Sequence, residues 1–325
     1  MEAVRLREAG AEAQGARDRA TFEAWGPPLT LEGYLARERR LRAHRWAQGA
    51  MQTWFLEGAR GEVLASCETF RVEARAGADV GAAWEVASVY TEPHLRGRGH
   101  AGRLMALLLE RLRGEEGRPL AVVLFSDVGP ELYARAGFVG RPAVDLVLPP
   151  LPSPPGLHGG PGAGVDALVA EADVGGALAR MRPLPGPVVL CPSEAQVDWH
   201  LERERVYCEQ LGRPRPVAWG ARAGASRALW AAAPKSGRLN VLRLDAHREE
   251  EAAALLACAQ RVAHGAGLQE VRLWVEGGWA GLGALEGAVP GARRVAREDS
   301  LPMLAPLAAG VDPGGWECIP RALWV

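Results

Sequence analysis

The sequence predicts an α/β (α+β) protein in two parts: a mixed, mostly antiparallel sheet flanked by helices, then a second α+β domain. Three observations predict it. Strand-like runs joined by tight turns, Met51 to Glu57, Glu62 to Glu73 and Ala83 to Tyr90, lead into a glycine-rich turn, an apolar-faced helix and a continuous apolar run, Leu120 to Ser126. Pro and Gly then dominate from Pro149 to Gly164, the composition of a linker. Beyond it, strands, a long helix and a further strand recur in the same order. The expected division is therefore residues 1–149, a linker over 150–164, and residues 165–325.

The totals agree with two cores. The chain has 325 residues, enough for two domains, and a formal charge of -1 with 48% hydrophobic residues argues against a disordered or nucleic-acid-coating chain. No apolar run is long enough to span a bilayer, and Met1 to Ala20 is charged throughout, so a cytoplasmic protein without a membrane or nucleic-acid partner is expected. Cys67, Cys191, Cys208, Cys258 and Cys318 are widely spaced with no Cys-x-x-Cys pair. Buried thiols are expected, and neither a disulfide framework nor a metal site. Lys235 is the single lysine among many arginines, which a codon bias towards Ala, Gly and Arg explains simply.

Taken in order, Val4 and Leu6 alternate as in a short strand, and Ala11 to Ala24 has helical composition. Gly26-Pro27-Pro28 breaks the chain, and Thr30 stands as N-cap for a helix from Leu31 to about Gln48. The three strands follow, turning at residues 57–61 and 76–79. After the glycine-rich turn, Ala101, Leu104, Met105, Leu108 and Leu112 mark one face of a helix ending near Arg113. Leu120 to Ser126 reads as a strand buried on both faces. Asp127-Val128-Gly129-Pro130 turns into a short helix, Glu131 to Ala136, stopped by Gly137, and Phe138 to Leu148 supplies further strand. In the second part, Val165 to Met181 is partly helical and Ser193 caps a helix to Gln210 whose apolar set includes Trp199, Val206 and Tyr207. Strands are expected at Pro216 to Arg222, Arg227 to Ala233, Leu239 to Leu244 and Val271 to Glu276, with a strongly patterned helix from Glu249 to Ala266. The glycine-arginine turn has no counterpart there, since Leu244-Asp245-Ala246-His247 runs straight into the helix. A degenerate copy of the first fold is the expectation.

The turn itself is Thr91-Glu92-Pro93-His94-Leu95-Arg96-Gly97-Arg98-Gly99-His100-Ala101-Gly102. A helix start usually carries a Ser, Thr, Asp or Asn cap and an acidic first turn, because its first N–H groups lack partners and bear partial positive charge. Arginines and glycines stand here instead. Glycines let a ligand approach bare amides, so the expected occupant is an anion, a phosphate above all. Gly97, Gly99 and Gly102 also spell G-x-G-x-x-G, and Asp127 stands where a dinucleotide fold would hold a ribose. The hairpins upstream argue against that fold, which needs a parallel βαβ unit, and no Lys completes a Walker loop.

Arg96-x-x-Gly99-x-Ala101 after Val89-Tyr90-Thr91, followed by a strand and Leu132-Tyr133-Ala134-Arg135-Ala136-Gly137-Phe138, resembles the GNAT superfamily of acetyl-CoA-dependent N-acetyltransferases. The residues Leu29 to Leu35, Leu64 to Thr69, Ser88 to Tyr90, Leu124 to Gly129 and Glu298 to Pro302 look like the fungal lysine acetyltransferases, which act on the side-chain amine of free lysine. That resemblance implies a GNAT-type sheet and an acetyl-CoA:L-lysine N-acetyltransferase working through a ternary complex, with no metal. It implies a pyrophosphate held by backbone amides of Arg96, Gly97, Arg98, Gly99, His100, Ala101 and Gly102. The pantetheine arm is implied along Val89, Tyr90 and Thr91, like an added strand.

The same resemblance implies Tyr133 as the group meeting the leaving thiolate and Glu85 as the base. A base or water relay matters because, with a lysine pKa of ~10.4, roughly one molecule in a few thousand is neutral at pH 7. Glu68 and Asp127 are rivals to Glu85 and candidates for contacting the substrate; each also reads as an ordinary strand carboxylate. The superfamily often has Asn where Ser126-Asp127 stands, which leaves coenzyme contacts there open. Other acceptors (another amino acid, a polyamine, a protein lysine) and a non-catalytic coenzyme-binding protein are the alternatives, and oligomeric state is not legible.

Overall fold

The computed structural model describes residues 4–152, 164–275 and 282–325. Most of the expected linker, 153–163, and Glu276 at the end of an expected strand lie outside the described residues. The first part runs β1 (Arg5–Glu8), α1 (Ala11–Trp25), α2 (Leu31–Arg42), α3 (Arg45–Ala50), β2 (Met51–Glu57), β3 (Val63–Ala76), β4 (Asp79–Tyr90), α4 (His100–Arg113), β5 (Pro119–Ser126), α5 (Glu131–Ala134), β6 (Val139–Gly140) and β7 (Val144–Leu148). The second runs β8 (Asp166–Ala167), α6 (Ala172–Ala179), β9 (Val188–Cys191), α7 (Glu194–Leu211), β10 (Gly220–Ala223), β11 (Ser226–Ala233), β12 (Arg238–Asp245), α8 (Glu249–Gly265), β13 (Glu270–Trp274), α9 (Leu282–Ala288), β14 (Arg293–Ala296) and β15 (Leu301–Pro306). A short 3-10 turn, Arg321–Leu323, lies near the C-terminal end.

Local chemistry explains several boundaries. The Thr30 hydroxyl accepts from the Gly33 N–H at 3.1 Å and starts α2 as expected. The helix expected to reach Gln48 is instead broken after Arg42, because the His44 ring nitrogen accepts from the Trp46 N–H at 3.3 Å and caps a separate α3. Ser193 caps α7 by accepting from the Gln196 N–H at 3.1 Å. The α4 stripe Leu104, Met105, Leu108 and Leu112 is fully buried against Trp54 and Trp84 of the sheet.

Two sheets flanked by helices result. The first has the order β1-β2-β3-β4-β5-β15-β6, with β9 pairing the far end of β3; the second has the order β14-β7-β13-β12-β11-β10-β8. In each, one parallel pair interrupts an otherwise antiparallel ladder: β4 with β5, and β12 with β13. A helix, α4 or α8, connects each parallel pair. The second part is thus a copy of the first fold, as the recurring element order predicts.

The sheets also exchange strands. β15, from the second part, fills the slot between β5 and β6, pairing Leu301 with Ser126 through Pro306 with Ala121. β7, from the first part, fills the corresponding slot between β13 and β14. The run Phe138 to Leu148 accordingly divides between the two sheets rather than staying in one. Leu146 and Leu148 are fully buried in the core of the second sheet, and Met303 and Leu304 in that of the first.

Candidate active site

β4 and β5 pair only from Ala82 with Pro119 to Val86 with Leu124. Beyond that, Ala87 to Tyr90 has no neighbour on the β5 side, because β4 bulges. Ser88 takes a positive φ of 53°, and the register against β3 shifts between Ser66 and Glu68. Arg17, from α1, fastens this bulge: it donates to Ser88 O at 2.6 Å, to Ser66 Oγ at 3.0 Å and to Glu68 Oε1 at 2.9 Å. The edge of β4 is therefore held open along Val89, with no strand on its β5 side. Thr91 Oγ1 is buried and has no partner.

That edge runs into the glycine-rich turn. Gly97 and Gly99 have φ of 76° and 78°, and a side chain added at either would meet nothing within 4 Å. α4 has no side-chain cap and no acidic residue in its first turn, and its first backbone bond is Arg103 N–H to Gly99 O at 3.0 Å. The Arg96 N–H, expected to bind an anion, instead donates to Pro93 O at 3.3 Å and closes the preceding 3-10 turn, whereas among the described residues the N–H groups of Gly97 to Gly102 have no protein acceptor, as an anion site requires. The Arg96 side chain turns back to donate to Thr91 O at 3.1 Å and lies near the Tyr90 ring, so it braces the turn.

A cavity of about 810 Å³ opens between the two sheets, and Val89, Tyr133, Glu68 and Asp127 all line it. Tyr133 is nearly buried, edge-on to Phe138, and burial, with Cys67 and Asp127 adding, pushes its hydroxyl up to about 12. Glu68 is committed to a buried ion pair with Arg17. Asp127 accepts from the Ser300 N–H at 2.9 Å and so fastens the end of β5 to the start of β15. Glu85 is absent from the cavity lining, although its neighbours Val86 and Ala87 belong to it. Its carboxyl is 1% exposed and accepts from Gln196 Nε2 at 3.1 and 3.0 Å; burial raises its pKa well above the usual range.

The cavity also holds residues that the sequence reading did not single out. Arg17, Arg37, Arg203, Trp274 and Arg321 line it. The missed signal was periodicity: Arg37 shares the buried stripe of Tyr34 and Leu41 on α2, and Arg203 sits midway between Trp199 and Tyr207 on α7. An arginine in an apolar stripe is a buried cation waiting for a partner. Among the described residues, no group of three or more His, Cys, Asp or Glu is placed to hold a metal ion, and no helix is long and apolar enough to cross a membrane.

Comparison with known proteins agrees with this arrangement. Residues 18–138 match the model of the acetyltransferase (GNAT) family, and residues 186–324 match the LYC1 GNAT-like C-terminal domain. No curated protein matches the chain significantly. Among solved structures, a probable N-acyltransferase from Enterococcus faecalis is 12% identical with a TM-score of 0.61, over 94% of this chain and 72% of that one. A GCN5-related N-acetyltransferase from Kribbella flavida is 18% identical with a TM-score of 0.56 over the same shares. A tandem GNAT protein from the clavulanic acid biosynthesis pathway is 13% identical with a TM-score of 0.50, over 94% of this chain and 99% of that one. With both halves matched and two sheets of one plan, the chain belongs to the GNAT family of N-acetyltransferases, in its tandem form.

Proposed function

We propose that this acetyltransferase uses acetyl-CoA to acetylate the side-chain amine of free L-lysine, by direct transfer in a ternary complex. The observation that carries the coenzyme reading is the free β4 edge, which leads from the uncapped, glycine-flanked start of α4 into the cavity that Tyr133 lines. Gly97 to Gly102 would hold the pyrophosphate through backbone N–H groups, with Arg96 bracing the turn, and Val89, Tyr90 and Thr91 would pair with the pantetheine arm as an added strand. Acetyl-CoA supplies an acyl thioester at the end of that path. The acceptor rests on the match of residues 186–324 to the LYC1 domain and on the motifs resembling fungal lysine acetyltransferases.

In this reading residues 1–149 supply the coenzyme and catalytic groups and 165–325 the acceptor side, joined by 150–164. Tyr133 donates a hydrogen bond to the departing thiolate; with its hydroxyl pushed up to about 12 it keeps its own proton rather than ionising. Glu85 accepts the amine proton through a water relay. Only its ionised form can take that proton, and burial raises its pKa well above the usual carboxylate range, so transfer should rise with pH as the carboxyl ionises; it lies one residue from the cavity lining. The five free cysteines fit a cytoplasmic setting.

Acetyl-CoA at a hundred times its Kd should stabilise the fold by about 2.7 kcal/mol while NAD leaves Tm unchanged. Stabilisation by NAD alone would sink the coenzyme reading. Thiol release on adding L-lysine, compared with other amino acids, polyamines and a lysine peptide, decides the acceptor. Absence of turnover with every amine would favour a coenzyme-binding interaction protein.

A further inference from the structure

Most charges lining the cavity are matched. Arg17 pairs with Glu68, Arg37 with Glu38, and Arg42 with Asp18. Asp145 is shared by Arg297 at 2.9 Å and Arg272 at 3.1 Å. Three cations are left over, of which Lys235 donates to Trp25 O at 3.0 Å. Neither Arg203, from α7, nor Arg321, from the 3-10 turn, forms an ion pair with a carboxylate among the described residues.

The two guanidiniums lie against one indole. Their central carbons are 4.4 Å (Arg203) and 3.9 Å (Arg321) from the Trp324 ring, and Arg321 is also 4.6 Å from the Trp274 ring. Arg203 has the Tyr207 hydroxyl as a hydrogen-bond partner. Arg321 has less: its Nη1 is buried with no partner at all. Two like charges held beside one ring, one with an orphaned N–H group, repel each other and lack the hydrogen bonds that water gave them. Both are accordingly pushed below the usual arginine value, mainly by burial; Arg203 and Arg297 add to the effect on Arg321, and the carboxylates of Asp145 and Asp299 oppose it without forming an ion pair with it. An anionic oxygen group arriving between them would relieve both costs, and the indole faces would cover the carbon chain attached to it.

We infer that Arg203 and Arg321 bind the carboxylate of the acceptor, so that the substrate is an amine carrying an acidic group remote from the reacting nitrogen. This rests on the proposed acetyl transfer for its amine, but the anion site stands on its own geometry. The coenzyme phosphates are a poorer occupant. Their site is the exposed start of α4 in the first part, whereas both arginines come from the second part and face the interior cavity.

The test compares L-lysine, L-lysinamide and 1,5-diaminopentane as acceptors for the full chain and for Arg321→Met, with acetyl-CoA-induced stabilisation confirming that the variant is folded. Loss of a charge-assisted contact predicts that kcat/KM for L-lysine exceeds that for 1,5-diaminopentane by about ten- to a hundred-fold. Arg321→Met should erase that preference mainly through KM. Equal use of all three amines, or an equal loss for all three, overturns the inference, as does a variant that loses acetyl-CoA affinity and keeps the preference. If Arg321→Met fails to fold, Arg203→Met is measured instead. Tryptophan fluorescence reads the site without turnover, since Trp274 and Trp324 lie against Arg321. A change with L-lysine but not 1,5-diaminopentane, lost in the variant, supports the carboxylate site even in a preparation that transfers no acetyl group. A response to both ligands, or to neither, overturns it.

Discussion

Strand exchange makes a stability prediction that crosses the chain. Leu304 lies on β15, more than 170 residues from its ladder partner Val123, yet it is fully buried among Trp46, Phe70 and Trp316 in the first sheet's core. Leu304→Ala removes that packing and leaves a cavity, a change that costs about 2–5 kcal/mol. For 325 residues an unfolding entropy of about 0.7 kcal/mol/K follows, so Tm should fall by roughly 3–7 °C. Leu146→Ala, on β7 in the second sheet's core, should produce a fall of the same order. Because each sheet lacks an interior strand, second from its edge, without the other half, calorimetry should show one transition, and both variants should shift it whole. Two resolved transitions, with Leu304→Ala moving only one, would refute the reasoning that exchange makes the halves a single cooperative unit.

Three further outcomes follow from the site. Tyr133→Phe should lower turnover by about a hundred-fold while leaving acetyl-CoA stabilisation nearly intact; an equal loss of stability would show the tyrosine to be a packing residue. Glu85 keeps its proton in the fold well above the 4.5 at which the unfolded chain releases it, so its contribution is full at acid pH and is lost as pH rises through the folded value. Glu85→Gln should flatten the decline of Tm between acid and alkaline pH, and an unchanged slope would contradict a raised Glu85 pKa. Cys67 is fully buried and its thiol is pushed up to about 12, chiefly by burial. It should resist alkylation until the protein unfolds, and rapid labelling of the native protein at neutral pH would show it to be accessible.

Much of this protein is written locally. The uncapped glycine-arginine turn, the α4 stripe, the Thr30 and Ser193 caps, the apolar β5 and the Tyr133 helix are each set by residues within a turn or two of one another. The repeated order of strands, helix and strand gave the tandem fold for the same reason. Sequence also singled out Tyr133, Glu68 and Asp127, which the structure brings to one cavity, but not Glu85's distance from it, because which face of a strand meets a cavity depends on what packs there. Tertiary structure decided the rest. Leu301-Pro302-Met303-Leu304-Ala305-Pro306 carries two prolines and no strict alternation, so nothing local marks it as a strand; it becomes one because β5 offers an open edge from another part of the chain. In the same way the stripe of Trp199, Arg203 and Tyr207 tells from spacing alone that Arg203 faces inward. Whether that buried charge meets a carboxylate of the protein or waits for one from a substrate depends on which side chains from the two sheets and the C-terminal turn surround it. Local pattern fixes direction, and only the assembled cavity fixes the partner.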